Sequence, residues 1–101
     1  MTLAELTAQM HAFVAGKGWY EPDSPHPQTP PRLAMSLAIE AAEVLEQFQW
    51  TDAPEREALA GELADVMLYL LQLADVCGID LGAAVVAKLG VNEGRSWGAE
   101  E

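Results

Sequence analysis

The chain has 101 residues, half of them hydrophobic, with sixteen acidic residues against five basic ones and a formal net charge of -11. That length suits one domain with a single core, and the excess of anions repels nucleic-acid phosphates and anionic membrane surfaces while making divalent cations natural guests. The lone cysteine, Cys77, cannot build a disulfide framework and reads as a small buried apolar residue in a reducing compartment.

Thr2 is placed to cap a first helix running to about Val14, with Glu5 completing a capping box and Gly16 and Gly18 ending it. No basic segment there leads into an unbroken apolar run, and no apolar stretch approaches the roughly 18 residues that span a bilayer. The expected location is therefore the cytoplasm, with no membrane or nucleic-acid partner. The next segment, YEPDSPHPQTPP, carries Pro22, Pro25, Pro27, Pro30 and Pro31, which remove amide donors and bias their predecessors toward extended backbone. A loop of that length inside a small domain points to binding.

From Arg32 to Trp50 the residues Leu33, Leu37, Ala41, Val44, Leu45 and Phe48 recur at helical spacing and predict a second helix with an apolar stripe, Phe48 in the core. Asp52 with Glu55 resembles a second capping box, and Pro54 is tolerable in a first turn, so a third helix is expected from there to about Cys77, stopped by Gly78. Leu59, Leu63, Val66, Leu70 and Leu73 form one face of it, while Ala64, Met67, Leu68 and Leu71 cover much of the opposite side. So small a chain has too few other elements to cover both faces, which predicts a homo-oligomer. Asp80 is placed to cap a fourth helix from Leu81 to about Leu89, ended by Gly90. No strand-like alternation is present; the expected class is all-α, a four-helix bundle spanning 1–101 as one domain.

Carboxylates fall on these helices in pairs. Glu40 and Glu43 lie about 60° apart on the second helix, and Glu62 and Asp65 repeat the spacing on the third beside Tyr69. A short TDAP connection folds the two helices back on one another, so the pairs would face across a groove with only Arg56 as a neighbouring cation. Clustered, partly buried anions need a positive guest. With hard oxygen ligands and no paired histidines or cysteines, Mg²⁺ is the expected ion and Mn²⁺ its substitute. Taken alone, Glu40 and Glu43 read equally well as solvated surface acids, and Glu62 and Asp65 also suit a helix N-terminal dipole. Glu46, Glu55 and Glu57 read as surface charges, and His11 as an ordinary helix residue.

The pattern Glu40-x-x-Glu43, eighteen intervening residues, then Glu62-x-x-Asp65 resembles the MazG-like all-α nucleoside triphosphate pyrophosphohydrolases. EAAEVLEQFQW, ELADVMLYLLQLADVCGIDL and the K-x-x-x-N-x-x-R tail within KLGVNEGR resemble the dCTP pyrophosphatase branch, as do Phe13, Trp19 and the Thr29-Pro30 pair. The resemblance spans about Phe13 to Arg95. It implies a Mg²⁺-dependent enzyme that cleaves a nucleoside triphosphate between its α and β phosphates, a housecleaning role, and a dimer or tetramer that completes the active site. It also implies Glu40, Glu43, Glu62 and Asp65 as metal-ligating, catalytic acids, and Lys88, Asn92 and Arg95 as phosphate contacts. Trp19 and Trp50 are candidate stacking partners for the base, Trp19 being open between ligand and packing roles.

Two departures stand out. Gln28 occupies the position where the dCTP branch carries a histidine, with His26 nearby, which puts a dCTP preference in doubt. Ile39 stands where some members have an extra glutamate able to take a proton from water, so activation would rest on the metal and one of its own ligands. The alternatives are a phosphoribosyl-ATP pyrophosphohydrolase and a catalytically silent metal-binding helical oligomer.

Overall fold

The computed structural model describes residues 1–95, which form four helices: α1 (Leu3–Gly16), α2 (Pro30–Glu46), α3 (Arg56–Val76) and α4 (Leu81–Glu93). The first start signal acts as expected. Thr2 Oγ1 accepts from the Glu5 amide at 3.1 Å and the Glu5 carboxylate accepts from the Thr2 amide at 3.3 Å, satisfying two donors that an uncapped helix would leave orphaned. Past α1 the chain turns through Gly18, whose φ of +75° is costly for any residue with a Cβ. The loop of residues 17–29 then delivers Thr29 as the α2 N-cap, with Pro30 and Pro31 in the first turn, where a missing amide does no harm.

α2 is shorter at its C-terminal end than its apolar spacing predicts. The helix stops at Glu46 and turns continue through residues 47–50, which carry Phe48 and Trp50 off the helical stripe. Of that stripe Leu33 is buried and Leu37 and Val44 are half-buried, whereas Ala41, Leu45 and Phe48 are exposed; the expected core place of Phe48 is a miss. The α3 start also moves. Thr51 Oγ1 accepts from the Ala53 amide in a local turn, Pro54 precedes the helix, and the cap is Glu55, whose carboxylate accepts from the amides of Glu57 and Ala58. A carboxylate at the N-cap satisfies the orphan amides and sits well with the helix dipole, so Glu55 takes the role expected of Asp52.

Gly78, at φ +71°, ends α3 after Cys77, which is its C-cap and is exposed rather than buried. Asp80 caps α4 by accepting from the Ala83 amide at 3.0 Å. Gly90 does not stop α4, which continues to Glu93; a glycine inside a helix costs only about 1 kcal/mol, and Val91, Asn92 and Glu93 extend the turn.

Packing is concentrated on α3. α2 folds back along it, α1 lies against it, and α4 leaves it at a bend of 101°, touching it lightly. The four helices therefore do not close into a bundle within one chain. The radius of gyration is 16.2 Å, against about 13 Å for a compact domain of this length. Met10, Val14, Leu33 and Leu71 are the buried apolar residues among those described, with Gln72 the buried polar one. Leu63 and Leu68 on α3 and Val85, Val86, Leu89 and Val91 on α4 stay exposed. No single helix among the described residues is long and apolar enough to cross a membrane.

Candidate metal centre and adjoining cavity

Because α3 runs back along α2, the two carboxylate pairs meet as their spacing predicts. Glu40, Glu62 and Asp65 each present an oxygen such that all three lie within 4.8 Å of one another. Glu43 stands outside this trio but close enough to act on both Glu40 and Glu62. The site is electrostatically unfavourable as an assembly of bare anions. Burial pushes the Glu40 carboxyl up to about 7, with added contributions from sharing a hydrogen bond with Glu43 and from the charges of Glu43, Asp65 and Glu62. Glu62 is also raised, first by its hydrogen bond with Glu43, then by burial and by the charges of Glu43, Asp65 and Glu46. Glu46 is thus exposed, as expected, yet not remote from the site.

One oxygen of Glu40 and one of Glu62 are buried and meet no hydrogen-bond donor. An acceptor withdrawn from water without a donor is destabilised, and two of them within a knot of like charges match what a hard cation would relieve. The donor set is all oxygen, which suits Mg²⁺ or Mn²⁺. The residues present therefore fit a divalent ion, with Glu40, Glu62 and Asp65 as the tight trio and Glu43 beside them.

Glu40 and Asp65 also line a cavity of about 440 Å³ between α1, α2, α3 and the loop of residues 17–29. It is also lined by Phe13, Trp19 and Gln28, with Tyr69 and Gln72 contributed by α3. Trp19 is held in place by its neighbours: its ring meets Phe13 edge-on with centroids 5.8 Å apart and His26 edge-on at 5.7 Å. One cavity thus has both carboxylate and aromatic side chains in its lining.

Other expected site residues lie elsewhere in the chain. Trp50 is 89% exposed and lines neither this cavity nor a second one between α1, the end of α3 and the start of α4. Lys88 and Asn92 share a face of α4, one turn apart, and Arg95 follows that helix; none of the three lines either cavity. Sequence reasoning missed His11, Tyr20 and Gln72. His11 Nε2 lies 2.7 Å from Asp75 Oδ2, and its Nδ1 meets the Tyr20 hydroxyl, so both ring nitrogens are engaged. Burial raises the Tyr20 hydroxyl, opposed by its hydrogen bond with Gln72 and aided by the Asp75 charge. The one signal for Gln72 is a lone amide in the run LLQLA, which is otherwise apolar.

Fold and acidic groove together define a helical protein that gathers carboxylates from two adjacent helices at the mouth of an aromatic-walled cavity. The chain belongs to the MazG-like family, whose sequence profile matches residues 35–101. It is 37% identical over 98 residues to dCTP pyrophosphatase 1 of Homo sapiens, an alignment covering 86% of this chain and 55% of that protein. The chain thus spans about half the length of the mammalian relatives it matches. It is also 33% identical over 96 residues to the dATP/dGTP diphosphohydrolase of cyanophage S-2L, covering 95% of this chain and 78% of that one.

Among solved structures, a pyrophosphatase from Archaeoglobus fulgidus superposes with a TM-score of 0.77 at 36% identity, over 90% of this chain and 88% of that one. The cyanophage S-2L MazG-like pyrophosphohydrolase, bound to dGDP and three catalytic Mn²⁺ ions per active site, superposes with a TM-score of 0.71 at 31% identity, over 97% and 84%.

Proposed function

We propose that this protein is a divalent-metal-dependent nucleoside triphosphate pyrophosphohydrolase, converting a deoxynucleoside triphosphate to its monophosphate and pyrophosphate in nucleotide-pool housecleaning. The observation that carries the reading is the convergence of Glu40, Glu62 and Asp65, with two buried carboxylate oxygens lacking donors, where Glu40 and Asp65 line a cavity that Phe13 and Trp19 line as well. A nucleotide carries groups suited to both kinds of lining. Its phosphates belong at the acids and its base beside Trp19. Relatives named for dCTP, dATP and dGTP support the substrate class, and the phage structure with catalytic Mn²⁺ in its active site supports a divalent metal.

Glu40, Glu62 and Asp65, with Glu43 beside them, would hold Mg²⁺ or Mn²⁺. Bound there, the ion would neutralise phosphate oxygens and lower the pKa of water near them. The protein's own residues supply position: the trio sets where the triphosphate lies, and the wall built from Phe13, Trp19 and Gln28 excludes water from the base. Lys88, Asn92 and Arg95 would engage phosphates as a compact charge, a neutral donor and a forked donor, and Trp50 would add an aromatic surface. These four line neither of the two cavities described, and apolar residues of α4 are exposed. A second copy covering that face would complete the site, as a dimer or tetramer. The cytoplasm, where nucleotide pools reside, is the matching location.

The test is product analysis. Purified protein is incubated with Mg²⁺ and each common or damaged nucleoside triphosphate, and the products are separated. Monophosphate plus pyrophosphate is expected; diphosphate plus phosphate, or no turnover with any nucleotide, contradicts the reading. Phosphoribosyl-ATP as the one substrate turned over would support the pathway-enzyme alternative.

A further inference from the structure

Gln72 is the buried polar residue among the described residues, 3% exposed, in the last part of α3 between Leu71 and Leu73. It lies seven residues beyond Asp65, which returns it to the same face of α3 two turns along, and both residues line the nucleotide-sized cavity. A buried amide persists only if its polar atoms are partnered. Its nitrogen donates twice, to Gln28 Oε1 at 2.8 Å and to the Tyr20 hydroxyl at 3.2 Å. Both acceptors belong to the loop of residues 17–29, one near its beginning and one near its end. Gln28 is fixed in turn by donating to the His26 carbonyl at 2.7 Å, and Tyr20 by its contact with His11, which is itself anchored to Asp75 of α3. His26 lies in the span so fastened, and Trp19, the residue just before Tyr20, meets it edge-on.

We propose that Gln72 is a positioning residue: one amide on α3 clamps both ends of the loop and so fixes the Trp19 and Gln28 wall at a set distance from the acidic trio. The proposal rests on the nucleotide reading for its substrate and on the hydrogen bonds alone for its mechanics. Gln72 touches no reacting atom in this scheme. It sets where the base can sit, and the acids set where the phosphates sit. Losing the clamp therefore weakens the hold on the base while leaving the bond-breaking end intact.

Gln72→Met keeps the side-chain length and removes both donations. Gln28→Met cuts one of the same bonds from the loop side without touching the helix core, and serves if the first variant folds poorly. The expected result is a KM raised about tenfold for the preferred triphosphate with kcat within about twofold, together with a reduced preference among bases. Because the two substitutions break one shared bond, the double variant should raise KM by clearly less than the two single effects combined.

A second measurement needs no activity. In a background where Trp50 and Trp97 are replaced by phenylalanine, acrylamide should quench Trp19 fluorescence at least twofold more strongly in Gln72→Met and Gln28→Met than in the parent. A fall in kcat at unchanged KM, additive effects of the two substitutions, or unchanged Trp19 quenching would each overturn the clamp. If no nucleotide is hydrolysed by the parent protein, the functional reading fails while the quenching result still decides the clamp.

Discussion

The α2–α3 pair and the α4 arm differ in how much of their work a single chain completes. Between α2 and α3 the chemistry is assembled: Glu40, Glu62 and Asp65 come within 4.8 Å of one another although Glu40 is far from the other two in sequence. α4 instead leaves the body at 101°, with Val86 70% exposed and Lys88, Asn92 and Arg95 outside both cavities. Charge crowding explains the first region and uncovered apolar area the second. The groove gathers like charges that a cation would relieve, and the arm leaves apolar area that the proposed second copy would cover. Each feature predicts a separate way to break the protein.

The largest effect belongs to the groove. Glu62→Gln, Asp65→Asn and Glu43→Gln each preserve shape and remove a charge, so turnover should fall by roughly a hundredfold or more while the far-ultraviolet circular dichroism stays helical. Full activity in these variants would remove the acids from the mechanism.

The arm comes next. In a lone chain Val86→Asp is a surface change worth about 0.5 kcal/mol or less. Beneath a second copy it would bury an unpaired charge, at a cost of several kcal/mol (about 3–5 by analogy with broken buried pairs). Light scattering on the eluting protein should therefore show a smaller assembly for Val86→Asp than for the parent, with a lower Tm. Equal masses and equal Tm would mean that α4 faces solvent.

A smaller effect follows from the Glu40 carboxyl, pushed up to about 7 from an ordinary 4.5, chiefly by burial. Across that interval the folded chain holds a proton that the unfolded chain has released, so stability is greatest at the low end and falls as pH rises. In EDTA, Tm should be higher at pH 5 than at pH 8. Added Mg²⁺ should lessen the difference, because the cation relieves the same repulsion, and Glu40→Gln should flatten it. A Tm that rises across this range in EDTA would contradict the crowding.

The smallest effect is at Cys77, which is exposed at the end of α3. Cys77→Ser should change stability by less than about 0.5 kcal/mol, and the native thiol should react with a disulfide reagent without prior unfolding. Protection of the thiol until the protein melts would show that the assembly buries it.

Much of this comparison is legible in the sequence. Thr2 with Glu5, the Gly18 and Gly78 turns and Asp80 act through local hydrogen bonds and backbone freedom, so their spacing suffices to place most helix ends. The acid pairs are legible because a three-residue spacing on two helices joined by a short turn leaves few other arrangements. Phe48 misleads because apolar periodicity continues past the last helical hydrogen bonds, and Cys77 because hydrophobicity alone does not say which end of a helix is covered. Gln72, Tyr20 and His11 depend on how a proline-rich loop folds against α3, a long-range arrangement without a local signature.

The most direct measurement of the central claim is a Mn²⁺ titration followed by electron paramagnetic resonance, in which the free-ion signal disappears as the ion is bound. The parent protein should suppress that signal at micromolar Mn²⁺, and Glu62→Gln and Asp65→Asn should restore most of it. A parent protein that leaves the free-ion signal undiminished would contradict the assignment of Glu40, Glu62 and Asp65 as the seat of a divalent ion.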